Sequence, residues 1–273
     1  MNLLNRAFSF YVFSNIHVAL SASCLVLMTL DYGNSSSLNT VVFVFCATVL
    51  AYNFIQHAEM DRTYPVLAHW TRSSSKPLLA LNLLMLAGLV YALLNLRWPD
   101  IFLLFPFFLL TLFYVYPGTK KFKGLRSLPG LKLFVIALVW AGVTVLFPLS
   151  VSGIPFGEGE WVVFAQRFLL ILAITLPFDI RDLQLDDEQL ATLPQTLGVN
   201  NSKWVALLAL SAFVVLFFVG AYFNPAERYV GLFVAVISAV LVLRSGIYQG
   251  RFFSAFWVES IPIAWYLLTL WFT

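Results

Sequence analysis

The sequence predicts an all-α, polytopic membrane protein with nine transmembrane helices around a central cavity. Of its 273 residues, 61% are hydrophobic and only 11% are charged, and the mean hydropathy is +0.88. Soluble domains do not have this composition. A helix needs about 20 mostly apolar residues to cross a bilayer, and such runs follow one another along the whole chain.

Nine apolar runs predict nine spans in a single domain that covers residues 1–273. The first run is too long for the core of a signal peptide, so we expect it to be retained as a span. The predicted spans are Phe10–Leu30, Leu38–Gln56, Pro77–Asn95, Asp100–Tyr116, Leu131–Leu149, Trp161–Phe178, Lys203–Tyr222, Arg228–Leu243 and Phe252–Phe272.

The basic residues predict the orientation, because Lys and Arg are enriched in short cytoplasmic loops. If the amino terminus is cytoplasmic, thirteen of the 16 Lys and Arg residues fall in cytoplasmic segments. Arg97 and Arg228 fall on the opposite side, and Arg167 lies within the sixth span. We therefore expect a multi-pass protein, of a bacterial inner membrane, whose amino terminus and working face are cytoplasmic.

Composition also excludes several other classes of site. The net charge of +3 comes from the loops, and no basic stripe interleaved with exposed aromatic residues indicates nucleic-acid binding. Cys24 and Cys46 both fall inside predicted spans, so neither a disulfide framework nor a zinc site is indicated. The sequence does not predict the oligomeric state.

An acidic run directly after the sixth span is the most informative motif. Residues 179–188 hold five of the thirteen acidic residues. The spacing of Asp179, Asp182 and Asp186 places them on one helical face, where a divalent cation would relieve their repulsion. Mg²⁺ is the expected ion, because it is normally held by one or two carboxylates together with substrate phosphates. The alternative is a solvated loop that binds no metal.

Two further cytoplasmic segments carry polar residues. After the second span, Asn53, His57 and Asp61 are spaced four apart, so they share a helical face and either bind a ligand or cap the helix. After the fourth span, the loop that holds Tyr116 and Lys120 is basic, which the positive-inside bias alone would also explain. Acid and base on one face suit a metal-bound polyanionic head group.

These motifs resemble those of the UbiA superfamily of intramembrane prenyltransferases, which have nine transmembrane helices and two cytoplasmic acidic motifs, after helices two and six. The second motif, D-x-x-D-x-x-x-D, matches Asp179, Asp182 and Asp186. Residues 192–198, Thr-Leu-Pro-Gln-Thr-Leu-Gly, are similar to a landmark downstream of that motif. Tyr116 and Lys120 stand where family members carry a tyrosine and basic residues near the diphosphate.

The resemblance implies an enzyme that uses Mg²⁺ to transfer a prenyl group from a polyprenyl diphosphate to a lipophilic, usually aromatic acceptor within the lipid bilayer. It implies that the metal ligands are Asp179, Asp182, Asp186 and Asp61, that Asn53 completes the catalytic set, and that Lys120, Arg181 and Tyr116 bind the diphosphate. Arg181 lies between two of the aspartates, and it pairs either with one of them or with a phosphate.

The first acidic motif departs from the family pattern, N-D-x-x-D-x-x-x-D. Asn53 and Asp61 align with it, but Phe54 and His57 replace the two inner acids. Phenylalanine cannot bind a metal, and imidazole suits zinc, copper or iron better than magnesium. A non-catalytic relative that binds an isoprenoid or quinone is therefore a second hypothesis. A transporter is a third, although no matching pair of interrupted spans indicates one.

Four polar residues within predicted spans are candidates to line the chamber, because polar groups inside a membrane are costly unless they have a function. They are Asn15, His17, Arg167 and Glu259. For Arg167 there are two further interpretations: its side chain reaches toward the outer interface, or it pairs with Glu259.

Overall fold

The structure, a computed structural model, describes residues 3–58, 65–115, 130–185 and 191–272. All regular elements in these ranges are helical. They are α1 (Leu3–Phe13), α2 (Ile16–Tyr32), α3 (Leu38–Ala58), α4 (Pro65–Ser73), α5 (Ser75–Leu94), α6 (Trp98–Val115), α7 (Leu131–Ala141), a π-helical segment (Gly142–Leu146), α8 (Phe147–Val151), α9 (Glu158–Asp182), α10 (Leu193–Leu216), α11 (Pro225–Arg244), a second π-helical segment (Phe253–Val258) and α12 (Ile261–Phe272).

The predicted helical membrane architecture is confirmed. Within the described ranges, seven helices are long and apolar enough to cross a membrane, or eight if the bent pair α1 and α2 forms one span. The apolar part of α6, Trp98–Leu112, is shorter and lies where the fourth span was predicted. Each of the nine predicted apolar runs thus coincides with a helix, a broken helix, or α7 and α8 joined through the first π-helical segment.

The first predicted span is not one continuous helix. It breaks at Asn15, whose backbone is left-handed (φ 64°), and α1 meets α2 at an angle of 57°. Asparagine adopts this conformation more readily than most residues because its short side chain can hydrogen-bond locally. Here the Asn15 amide donates instead across the bundle, to Asn53 and Gln56 of α3 at 2.9 and 3.0 Å.

Two helices extend beyond the predicted spans. The helix α9 does not end at Phe178 but continues to Asp182. The helix α10 begins at Leu193, ahead of the predicted span Lys203–Tyr222, and kinks at Gly198 (φ 78°, ψ 161°). The first turn of α10 is supported by Gln195, whose Oε1 accepts from the Thr192 N–H at 2.8 Å. Pro194 also suits a first helical turn.

The helix α9 lies at the centre of the packing. Its apolar face is fully buried at Leu170, Ala173 and Ile180 and belongs to the largest buried cluster, together with residues of α7, α10, α11 and α12. Since α9 ends in the acidic motif, this packing fixes the position of the motif. We call the end of the bundle where α9 terminates the acidic end.

The side chain of Arg167 is buried near the middle of α9. It is 2% exposed, its guanidinium lies 5.0 Å from the centre of the Trp265 ring, and Nη2 lies 3.5 Å from Thr29 Oγ1. Among the described residues, Nε and Nη1 have no hydrogen-bond partner. Both earlier interpretations of Arg167 were therefore wrong, because it neither reaches the interface nor pairs with Glu259.

We expect Arg167→Met to melt no lower than the wild type, because a buried guanidinium without a carboxylate partner is costly and methionine keeps the packing against Trp265. Arg167→Ala should melt about 5 °C lower, since a cavity remains and each kcal/mol shifts the midpoint of such a chain by about 2–4 °C. Thermal unfolding in detergent measures both. Equal loss in the two variants would contradict this account.

Candidate functional site

The first two aspartates of the acidic motif lie on the last turn of α9. Because this helix continues to Asp182, Asp179 and Asp182 are helix neighbours, as their spacing predicted. The Asp179 side chain is only 1% exposed, whereas that of Asp182 is 23% exposed. The third aspartate, Asp186, lies outside the described residues, as do Asp187 and Glu188.

Asp179 forms a buried ion pair with Lys132. The distance from Lys132 Nζ to Asp179 Oδ1 is 2.7 Å, and the lysine side chain is 10% exposed. Lys132 belongs to the first turn of α7, so the pair joins the ends of two adjacent spanning helices. Sequence reasoning counted Lys132 only as a basic loop residue. The available signal was a lysine placed just inside an apolar run.

Arg181 forms a two-pronged ion pair with its neighbour Asp182. Its Nε and Nη2 donate to the two carboxylate oxygens at 2.7 and 3.0 Å. Of the two interpretations of Arg181, pairing with an aspartate is the one found. The guanidinium also interacts electrostatically with Glu259 of the last span.

The residues that follow the basic loop and the acidic loop are in contact with each other. The Gly130 N–H donates to the Ala191 carbonyl at 3.0 Å. Gly130 follows the basic loop and Ala191 follows the acidic loop, so the carboxyl ends of both loops are adjacent. Tyr116, Lys120 and Asp61 lie outside the described residues.

The described part of the first motif forms a network of neutral amides. Asn53 Oδ1 accepts from Asn15, and its Nδ2 donates to Asn82 Oδ1 of α5 at 2.7 Å. Gln56 accepts from Asn15 and donates to Thr71 Oγ1 of α4 at 2.8 Å. Asn53 therefore bonds to other helices rather than capping its own. The network ties the break between α1 and α2 to three further helices.

The two residues that stand in place of the inner acids of the first motif, Phe54 and His57, lie outside this network. Phe54 is 63% exposed, and its side chain lines an apolar cavity. His57 is exposed at the last turn of α3. Neither residue is positioned by the amide contacts that hold Asn53.

His17 connects α2 to the last span. Its Nε2 lies 3.1 Å from the Phe256 carbonyl and 3.1 Å from Ser260 Oγ, and its Nδ1 lies 2.7 Å from the Tyr11 hydroxyl. Because a carbonyl only accepts, Nε2 carries the proton and Nδ1 accepts from Tyr11. Ser21, one turn further along α2, donates to the Glu259 carbonyl. These contacts brace the π-helical segment Phe253–Val258, and such segments are frequent at functional sites.

An apolar cavity of about 840 Å³ lies between α3, α6 and α7. It extends from Phe54 and Ile55, near the acidic end, to Leu93 and Trp98 near the opposite end. The few polar groups in its wall include the Tyr52 hydroxyl, which accepts from Trp140 Nε1 at 3.1 Å. Other lining residues are Phe43, Phe105, Phe108, Val139 and Thr144.

The donor set at the acidic end fits Mg²⁺. Asp179 and Asp182 offer hard carboxylate oxygens, and one or two carboxylates with substrate phosphates are the usual protein contribution to a magnesium site. In the part of the chain that the structure describes, no group of three or more His, Cys, Asp or Glu residues could hold a metal.

The fold is similar to that of two solved structures, although no protein-family model and no curated protein matches the sequence. One is a UbiA homologue from Archaeoglobus fulgidus bound to GPP and Mg²⁺, with a TM-score of 0.64 and 10% identity over 95% of this chain and 98% of that chain. The other is the apo structure of a UbiA homologue from Aeropyrum pernix K1, with a TM-score of 0.64 and 17% identity over 96% and 97%. The protein therefore has the fold of the UbiA homologues over nearly its whole length.

Proposed function

We propose that the protein belongs to the UbiA superfamily and transfers a prenyl group from a polyprenyl diphosphate to a lipophilic, aromatic acceptor within the membrane. The observation that carries the proposal is the pair of buried and half-buried carboxylates, Asp179 and Asp182, with Lys132 and Arg181 beside them at the end of a UbiA fold. One protein of the same fold binds GPP and Mg²⁺.

The reaction breaks the bond between C1 of the donor and the diphosphate oxygen, and the electron pair leaves with pyrophosphate. The allylic cation is then attacked by the acceptor ring, which loses a proton. Bound Mg²⁺ would neutralise the charge that develops on the leaving group. In this proposal Asp179, Asp182, Asp186 and Asp61 hold the ion, Asn53 lies opposite, and Lys120, Arg181 and Tyr116 contact the diphosphate.

The apolar cavity suits the prenyl chain. Its volume lies within the range of about 300–1,000 Å³ that is usual for ligand sites, and one end of it approaches the amide network at the acidic end. A dry chamber keeps water from the allylic cation. The aromatic faces in its wall can stabilise a cation, so the cavity serves both binding and chemistry.

The proposed orientation places the acidic end and the amino terminus in the cytoplasm. Three basic residues lie at the acidic end. Lys132 is in the first turn of α7, Arg181 is in the last turn of α9, and Arg251 comes just before the second π-helical segment. Arg97 lies at the opposite end, where it pairs with Asp100 at 2.8 Å. This distribution agrees with the enrichment of basic residues on the cytoplasmic side, here of a bacterial inner membrane.

A second candidate function is isoprenoid or quinone binding without transfer. The observation that favours it is the first motif, where Phe54 and His57 stand at the positions for which the resemblance implies carboxylates, and neither is held by the amide network. Phenylalanine cannot bind a metal, and imidazole suits magnesium poorly. Turnover distinguishes the two functions.

We expect Asp179→Asn to lower pyrophosphate release from geranyl diphosphate at least about 100-fold, because an interaction with developing charge is worth about that factor or more. The measurement is release by purified protein with Mg²⁺ and a panel of aromatic acceptors. Asp100→Asn is the matched control, since Asp100 is equally buried but lies at the opposite end. Binding without release in the wild type would establish the second function, and no binding would exclude both.

We also expect Ala47→Trp to discriminate against long donors, because Ala47 lines the apolar cavity and an indole would shorten the space for the chain. The ratio of kcat/KM for geranylgeranyl over geranyl diphosphate should fall about tenfold, as for the loss of one or two methylene contacts. Ala87→Trp, at an exposed position of α5, should leave the ratio unchanged. A uniform loss for both donors would show that the cavity does not hold the chain.

A further inference from the structure

We propose that Lys132 is a built-in counter-ion that competes with the metal for Asp179, so that Mg²⁺ and a diphosphate bind together and neither is held well alone. The proposal rests on the proposed function and adds a residue and a binding order to it. Nothing in the motif resemblance assigns a role to Lys132.

The ion pair between Lys132 and Asp179 is buried. Lys132 Nζ lies 2.7 Å from Asp179 Oδ1, and both side chains are removed from solvent. A divalent cation that approached Asp179 would come close to the ammonium group, and in a weakly screened environment the two cations would repel each other strongly. The lysine therefore opposes binding of the metal by itself.

The neighbouring acid, Asp182, is also paired with a cation. Arg181 covers both oxygens of Asp182 at 2.7 and 3.0 Å. Each described carboxylate of the motif thus already has a cation within hydrogen-bond distance. A metal alone would displace two charge-assisted interactions and provide no new acceptor for either cation.

A diphosphate removes this conflict. Its oxygens offer the lysine an acceptor of at least equal charge, so Nζ can leave Asp179 and still contact an anionic group. Lysine suits such a transfer because it carries a compact charge on a flexible stem, whereas the planar guanidinium of arginine is bound to a fixed geometry. Once Lys132 has moved to the phosphate, the Asp179 carboxylate is available to the metal.

The described part of the first motif does not supply compensating negative charge. Asn53 and Gln56 are neutral, and their amide groups already bond to Asn15, Asn82 and Thr71. Among the described acids of the two motifs, Asp179 and Asp182 are the ones that pair with cations at this end. By linkage, if the diphosphate tightens the metal by a given factor, the metal tightens the diphosphate by the same factor.

The test is Mn²⁺ binding to the full-length protein in detergent, measured by calorimetry with and without geranyl diphosphate. For the wild type we expect geranyl diphosphate to tighten Mn²⁺ at least about tenfold, a typical size for coupling between two ligands. In Lys132→Met, Mn²⁺ alone should bind about tenfold tighter than in the wild type, and the coupling should largely vanish. Lys203→Met, which removes another lysine close to an end of a spanning helix, is the matched control and should behave as wild type.

Asp179→Asn is a second variant, which tests the proposal even if Lys132→Met does not fold. Its expected effect on Mn²⁺ binding is opposite to that of Lys132→Met. It should lose Mn²⁺ binding while keeping or improving geranyl diphosphate binding in EDTA, because Lys132 no longer has a carboxylate partner there. Unchanged Mn²⁺ affinity and coupling in Lys132→Met, or tight Mn²⁺ binding by the wild type without diphosphate, would overturn the proposal. If the wild type binds no geranyl diphosphate, the proposed function fails, and the Mn²⁺ measurements alone still decide whether Lys132 blocks Asp179.

Discussion

The ion pair between Lys132 and Asp179 is the interaction on which the acidic end of this protein depends. Two opposite charges are buried 2.7 Å apart where the fifth span begins and the sixth span ends. Replacing such a pair by apolar residues would often cost nothing in stability. We therefore infer that the pair serves ligand binding rather than stability. The adjacent pair of Arg181 and Asp182 favours a charged ligand.

The rest of the bundle positions this pair. The buried face of α9 holds Asp179 in place from one side, and the contact between Gly130 and Ala191 brings the ends of the basic and acidic loops together. The amide network around Asn53 fixes the bend between α1 and α2. An acidic end close to a long apolar cavity suits the proposed substrate, which has a charged head and an isoprenoid tail.

Much of the fold could be predicted from the sequence, because apolar runs of membrane length are an unambiguous signal. The acidic motif could also be placed at the end of a span, and its first two members do share the last turn of α9. What could not be predicted depends on contacts between helices. The partners of Lys132, Asn53 and Arg167 lie far away in sequence, and the break at Asn15 requires those partners before it becomes favourable.

The central claim is that Asp179 and Lys132 together receive a metal-bound diphosphate. An experimental structure with geranyl diphosphate and Mn²⁺ tests it most directly, because the anomalous signal of manganese locates the ion independently of the chain. The account predicts a Mn²⁺ ion within about 2.2 Å of an Asp179 oxygen, near the Mg–O distance, and Lys132 Nζ moved onto a phosphate oxygen. A bound diphosphate with the Lys132 and Asp179 pair intact, and manganese elsewhere, would contradict it.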